Sequence, residues 1–151
     1  MNRPVAAAAA FCTIFVACSG DGPTEPQAVA CTSETASVGV TVTGADTPVF
    51  DWNPACSVAL LLVEGAGGDT WVISSDDATW SSPEQANLIS PPVTYGTTSL
   101  PAGVQTEYGP LPLSRGSAYD VIPFQVVDPA STACADLFQN VCRLAIHEFT
   151  W

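Results

Sequence analysis

The chain predicts an all-β fold, and two features of its sequence carry that expectation. Beyond residue 36 the β-forming residues come in short runs punctuated by Gly, Pro, Asp and Ser, as in strands joined by tight turns. After residue 30 no segment holds the apolar period of an amphipathic helix for long, although ACADLFQN has room for a single turn. With 151 residues the chain has room for one domain with its own core. A single antiparallel β-sandwich is the architecture that follows.

The elements read in order. SVGVTVTG at 37–44 alternates Val with small residues, and TPVFDW at 47–52 sets Phe50 and Trp52 on one face of a strand. VALLLVEG at 58–65 is apolar on both faces, as a central strand would be. AGGD at 66–69 supplies hairpin-turn residues, and TWVISS at 70–75 reads as the returning strand. Residues 76–85, DDATWSSPEQ, read as a loop, and PPVTYG at 91–96 as a short strand behind two prolines. AYDVIPFQVVD at 118–128 and RLAIHEFTW at 143–151 read as the last two strands. Trp52, Trp71, Tyr119 and Phe124 are assigned to the core.

One stretch narrows the architecture. LPLSRGSAYDV at 111–121 has Leu113, then Gly116 in a turn, then Tyr119 and Val121 in alternation. It resembles the strand E to strand F corner of fibronectin type III and other immunoglobulin-like domains, where a tyrosine hydroxyl returns to the backbone. Trp52 matches the buried tryptophan of the second strand in such domains. The resemblance covers roughly residues 41–151 and implies that the domain at 31–151 is a fibronectin type III/immunoglobulin-like sandwich. Within it, Pro123 would fall inside a central strand, so a bulge or a strand order that leaves it at an edge is required.

The N-terminus reads as an export signal. Arg3 supplies a short positive region, and residues 5–17 are apolar or small apart from Thr13. Spanning a bilayer takes roughly 20 such residues, so this run fits a signal h-region better than a membrane helix. It ends in FVAC, residues 15–18, which resembles the lipobox of bacterial lipoproteins. That resemblance implies a signal peptide at 1–17, cleavage before Cys18 and lipidation of Cys18. Residues 18–30, rich in Ser, Gly, Pro and acid, would then form a flexible tether. Ser19 favours the outer membrane or cell surface, and an ordinary secretory signal cut after Ala17 or near Ala30 is the alternative.

Charge excludes some partners. The sequence holds fifteen Asp and Glu against three basic residues, for a formal net charge of −12. Nucleic acid needs Lys and Arg to displace its counterions, so it is not an expected partner. In an oxidising compartment the cysteines beyond Cys18 are expected in disulfides. Cys31, Cys56, Cys134 and Cys142 allow three pairings. Cys134 and Cys142 lie close enough to be stapled locally, and Cys31 and Cys56 could join the N-terminal strand to its neighbour. Chain entropy gives about 2.6 kcal/mol for the short loop and about 3.5 for the longer one.

Chemistry is sparse. His147 is the one histidine and reads as an edge imidazole. Ser117 in RGSAY lacks the second glycine of a nucleophile elbow. GAGGD is too short for a phosphate loop, and Asp69, Asp76 and Asp77 are expected in loops. The cysteine spacings do not suit zinc, and DTWVISSDD lacks a calcium loop's alternation of oxygen ligands. No catalytic residue, metal or cofactor is therefore expected. Trp80, Tyr95 and Tyr108 are the candidate binding residues, since exposed rings stack on sugars or anchor protein partners. The leading expectation is a membrane-anchored, non-enzymatic interaction or structural module with a protein or glycan ligand. A carbohydrate-binding or enzyme-accessory module is the alternative, and it expects Trp80 and a tyrosine on one exposed face.

Overall fold

The computed structural model describes Cys31 and residues 37–128, 130 and 140–151. The signal and tether at 1–30 with Cys18, together with Cys134 and all of the ACADLFQN turn but Asn140, lie outside the described residues. The described strands are β1 (Gly39–Thr43), β2 (Val49–Asn53), β3 (Leu60–Gly65), β4 (Gly68–Ser75) and β5 (Val93–Thr94). They continue with β6 (Val104–Tyr108), β7 (Ala118–Val126), β8 (Val141–Arg143) and β9 (His147–Thr150), and a helix α1 (Pro83–Ala86) lies between β4 and β5.

Every strand pairing is antiparallel. A three-stranded sheet runs β1-β2-β5, and a larger sheet runs β6-β4-β3-β7-β8 with β9 also on β7. The inward faces of the two sheets meet in a sandwich-like arrangement around Phe50, Trp52, Leu61, Val63, Trp71, Ile73 and Val121. Burying each such side chain contributes roughly 1.5–3 kcal/mol. Phe50 and Trp52 share one face of β2, at 0% and 2% exposure, as their spacing predicts. The Trp52 indole N–H donates to the Cys56 carbonyl at 2.7 Å, beside a disulfide that joins Cys56 to Cys31. Cys142 is disulfide-bonded as well.

The corner before β7 closes as its sequence predicts. The Tyr119 hydroxyl accepts the Ser114 amide at 2.8 Å, and Gly116 takes a φ of 79° in the turn between them. The Tyr119 ring lies over Gly65, where a Cβ would meet ring atoms at 2.9 Å. Only glycine leaves room for the ring at that point of β3.

Pro123 sits in the middle of β7, opposite Leu61 of β3. On the other side of β7, Arg143 stands opposite Phe124 and His147 opposite Val121. Leu144, Ala145 and Ile146 therefore face only Ile122 and Pro123, which is a bulge. The Pro123 carbonyl accepts from Leu144 at this break. The amide and carbonyl of a strand residue point the same way, so the missing N–H falls where the ladder is already interrupted.

Four local expectations are corrected. Asp69 lies in β4, opposite Glu64, and not in a loop. Residues 76–85 contain a 3-10 turn at Asp77–Thr79 and the start of α1. The Asp76 side chain caps that turn by accepting the Ala78 amide at 3.0 Å, and Pro83 suits the first turn of α1. Phe124 is half-buried on the outer face of the larger sheet and packs with Ala59, Ala86 and Val126 instead of between the sheets. Val104–Tyr108 is a strand that the sequence reading does not contain.

Candidate functional site

Strand alternation gives the larger sheet a second face. In β3, Leu61 and Val63 are buried, while Leu60, Leu62 and Glu64 between them are half-buried on the outer side. Residues directly opposite in a ladder project to the same side, so the registers assemble that outer face in rows. Leu62 lies between Val72 and Ile122, with Tyr108 beyond Val72 on β6. Leu60 lies between Ser74 and Phe124, with Arg143 beyond Phe124 on β8. At the β3–β4 hairpin end, Asp69, Glu64, Asp120 and Glu148 make an uninterrupted row of carboxylates over four strands.

A groove of about 250 Å³ opens on this face, lined by Leu60, Leu62, Asp69, Val72, Trp80, Phe124 and Val141. The strands supply its floor. Trp80 supplies a wall and is held from three directions. Its amide closes the 3-10 turn on Asp77, its indole N–H donates to Ser75 Oγ at 3.0 Å, and its carbonyl accepts from Asn140 at 2.6 Å. Asn87, after α1, holds that end of the sheet. Its side-chain amide exchanges two hydrogen bonds with the Val126 backbone, at 2.8 and 2.9 Å, as a neighbouring strand would. Among the described residues the groove lining is therefore apolar apart from Asp69, with an acidic row beside it.

No protein-family model, curated protein or solved structure matches this chain.

The three candidate aromatics occupy different places. Trp80 lines the groove. Tyr108, 47% exposed, lies on the same sheet face through its register with Val72. Tyr95 packs against the inter-sheet core, edge-on to Phe50 and Trp71 at centroid distances of 6.4 and 5.2 Å. Its hydroxyl donates to the Leu111 carbonyl at 2.7 Å. Burial pushes the Tyr95 phenol above its ordinary pKa of 10.0, against the lowering effect of its hydrogen bonds.

The remaining polar candidates are dispersed. His147 is half-buried on β9, opposite Val121. Ser117 lies in the corner turn, where its amide donates to Ser114 and its carbonyl accepts from Trp151. Arg115 lies over the Trp151 ring, 4.8 Å from its centroid, and pairs with Asp46 at 3.9 Å. Among the described residues no group of three His, Cys, Asp or Glu side chains could hold a metal ion, and no helix is long and apolar enough to cross a membrane. The groove and the acidic row could not be found from local sequence. They arise from register between segments far apart in the chain, although the doubly apolar VALLLVEG carried half the signal.

Proposed function

We propose that this chain is an exported, lipid-anchored, non-enzymatic interaction module that docks a partner on the outer face of its larger sheet. The observation that carries the docking part is the half-exposed strip of Leu60, Leu62, Val72 and Phe124 beside Trp80. A sheet face of this kind is ordinarily either packed or polar. The anchoring part rests on the lipobox-like FVAC at 15–18 and the tether at 18–30, and the tyrosine corner at Tyr119 supports kinship with fibronectin type III and immunoglobulin-like domains. No cofactor or nucleic acid enters this reading.

A glycan is the second reading, favoured by Trp80 and Tyr108 sharing one face. Sugars need hydrogen-bonding groups beside the stacking ring, and among the described residues lining the groove only Asp69 offers one, so a protein segment suits it better. Two measurements test the proposal. Mass spectrometry of the mature N-terminus should find diacylglyceryl on Cys18, and an unmodified peptide starting beyond Cys18 refutes the anchor. A photo-crosslinker at position 62, on intact cells, should give an adduct that is absent when the crosslinker is at Thr41 on β1. Equal labelling from both positions refutes the groove as the interface.

A further inference from the structure

We infer that the occupant of this groove is an amphipathic helix with a Lys/Arg stripe, laid across the strands with that stripe over the acidic row. The inference rests on the interaction-module reading and deepens it by fixing the partner's chemistry. Asp69, Glu64, Asp120 and Glu148 are successive cross-strand neighbours. Strands are about 4.8 Å apart, so this row spans about 14 Å across the sheet. The next row on the same face, about 7 Å along the strands, is Val72, Leu62 and Ile122, of which Val72 and Leu62 are half-buried and Ile122 is buried.

A helix matches both rows. It advances about 5.4 Å per turn, so cations at i, i+4, i+7 and i+11 fall close to the strand spacing, and an adjacent apolar stripe reaches the groove. An extended segment repeats one face about every 7 Å and loses step with the carboxylates after one or two contacts. Charge also selects the partner. The described residues hold Arg115 and Arg143 as their only Lys or Arg side chains. Arg115 is engaged with Asp46 and Trp151, and Arg143 stands opposite Phe124, two rows away from the carboxylates. A second copy of a chain with net charge −12 would set like charge against like, so the complementary partner is basic.

The test uses two synthetic helical peptides of one length, each with a Leu stripe, one carrying Lys and the other Glu along the adjacent stripe. The protein is the oxidised full chain with Cys18→Ser, and binding is read by fluorescence anisotropy. The Lys peptide should bind at least about tenfold more tightly than the Glu peptide, and that preference should shrink as salt rises. Glu64→Gln with Asp120→Asn, near-isosteric changes whose folding is checked by circular dichroism, should remove most of the preference. Leu62→Asn, which removes the apolar contact without adding charge, should weaken both peptides. Equal affinity of the two peptides, or a preference that survives the double variant, overturns the basic-helix assignment. If Leu62→Asn still weakens both peptides in that case, the groove stands as an interface with a different partner chemistry. No binding of either peptide also overturns the assignment, while crosslinking at position 62 decides the groove separately.

Discussion

Glu64 and Asp120 stand directly opposite each other in the β3–β7 ladder, two carboxylates on the same outer face of one sheet. Each has a further acid at its other side, Asp69 and Glu148. Like charges directly opposite destabilise a sheet. Glu64→Gln should therefore raise stability by about 0.2–1 kcal/mol at low salt, with the gain fading as ionic strength rises. Urea unfolding at two salt concentrations measures it. A loss of stability, or a gain that does not respond to salt, would contradict the register-based description of this row.

The Tyr119 corner gives a second expectation. Tyr119→Phe leaves the Ser114 amide without its acceptor and should cost about 1 kcal/mol. Gly65→Ala should cost more, about 1–3 kcal/mol, because the new Cβ meets the Tyr119 ring at 2.9 Å. The two residues touch, so their effects should not add. With Tyr119→Leu in the background, the penalty of Gly65→Ala should fall, and a double-mutant cycle by thermal denaturation reads the coupling. Additive penalties would mean that the ring and the glycine do not constrain each other.

These two cases also mark how far the sequence could be read. The corner was legible through its resemblance to the corner of immunoglobulin-like domains, a pattern whose parts lie within a few residues, Leu113 to Val121. The strands of the core were legible from local alternation, and Phe50 and Trp52 show it most plainly. Val104–Tyr108 gave no such signal. It is an edge strand with four exposed residues, so nothing imposes an apolar alternation on it. Phe124 is assigned to the core by sequence but lies on the outer face, because an aromatic in an apolar strand suits either face until the register is known. The acidic row lay beyond reach for the same reason, since Glu64, Asp69, Asp120 and Glu148 come from three separate segments.

Asn87 substitutes for a strand at the end of β7, and that role is testable. Its carboxamide satisfies both the N–H and the C=O of Val126, and Asn87 itself is 1% exposed. Asn87→Ala leaves two buried backbone groups unpaired and should cost about 2–4 kcal/mol. Hydrogen exchange at the Val126 amide should accelerate in this variant before global unfolding does. Unchanged protection of that amide would show that the side chain is not its partner.

The Cys31–Cys56 bridge closes a loop with a sequence separation of 25. The paired variant Cys31→Ala with Cys56→Ala should lose about 3.5 kcal/mol if the constraint acts on the unfolded chain. The Trp52 indole bonds the Cys56 carbonyl, so its indole N–H resonance in an NMR spectrum should report any rearrangement of the native state. An unshifted Trp52 signal together with lower stability is the expected pair of results. A shifted signal would assign part of the loss to the native packing around Trp52.

Tyr95 predicts a decline in stability on the alkaline side. Burial raises its folded pKa above the ordinary 10.0, partly opposed by the hydrogen bonds to Thr70 and Leu111. Below pH 10 the phenol is protonated in both folded and unfolded chains, and this contribution is fully present. Above it the unfolded chain loses the proton first and binds fewer protons than the folded one, so stability falls with rising pH until the folded pKa is passed. Tyr95→Phe should remove that part of the slope, while lowering stability at neutral pH through loss of the bond to the Leu111 carbonyl. Urea unfolding from pH 8 to the onset of alkaline denaturation, for both proteins, separates the two effects. Parallel curves would mean that the Tyr95 phenol titrates alike in the folded and unfolded chains, and its burial against the inter-sheet core would then have to be revised.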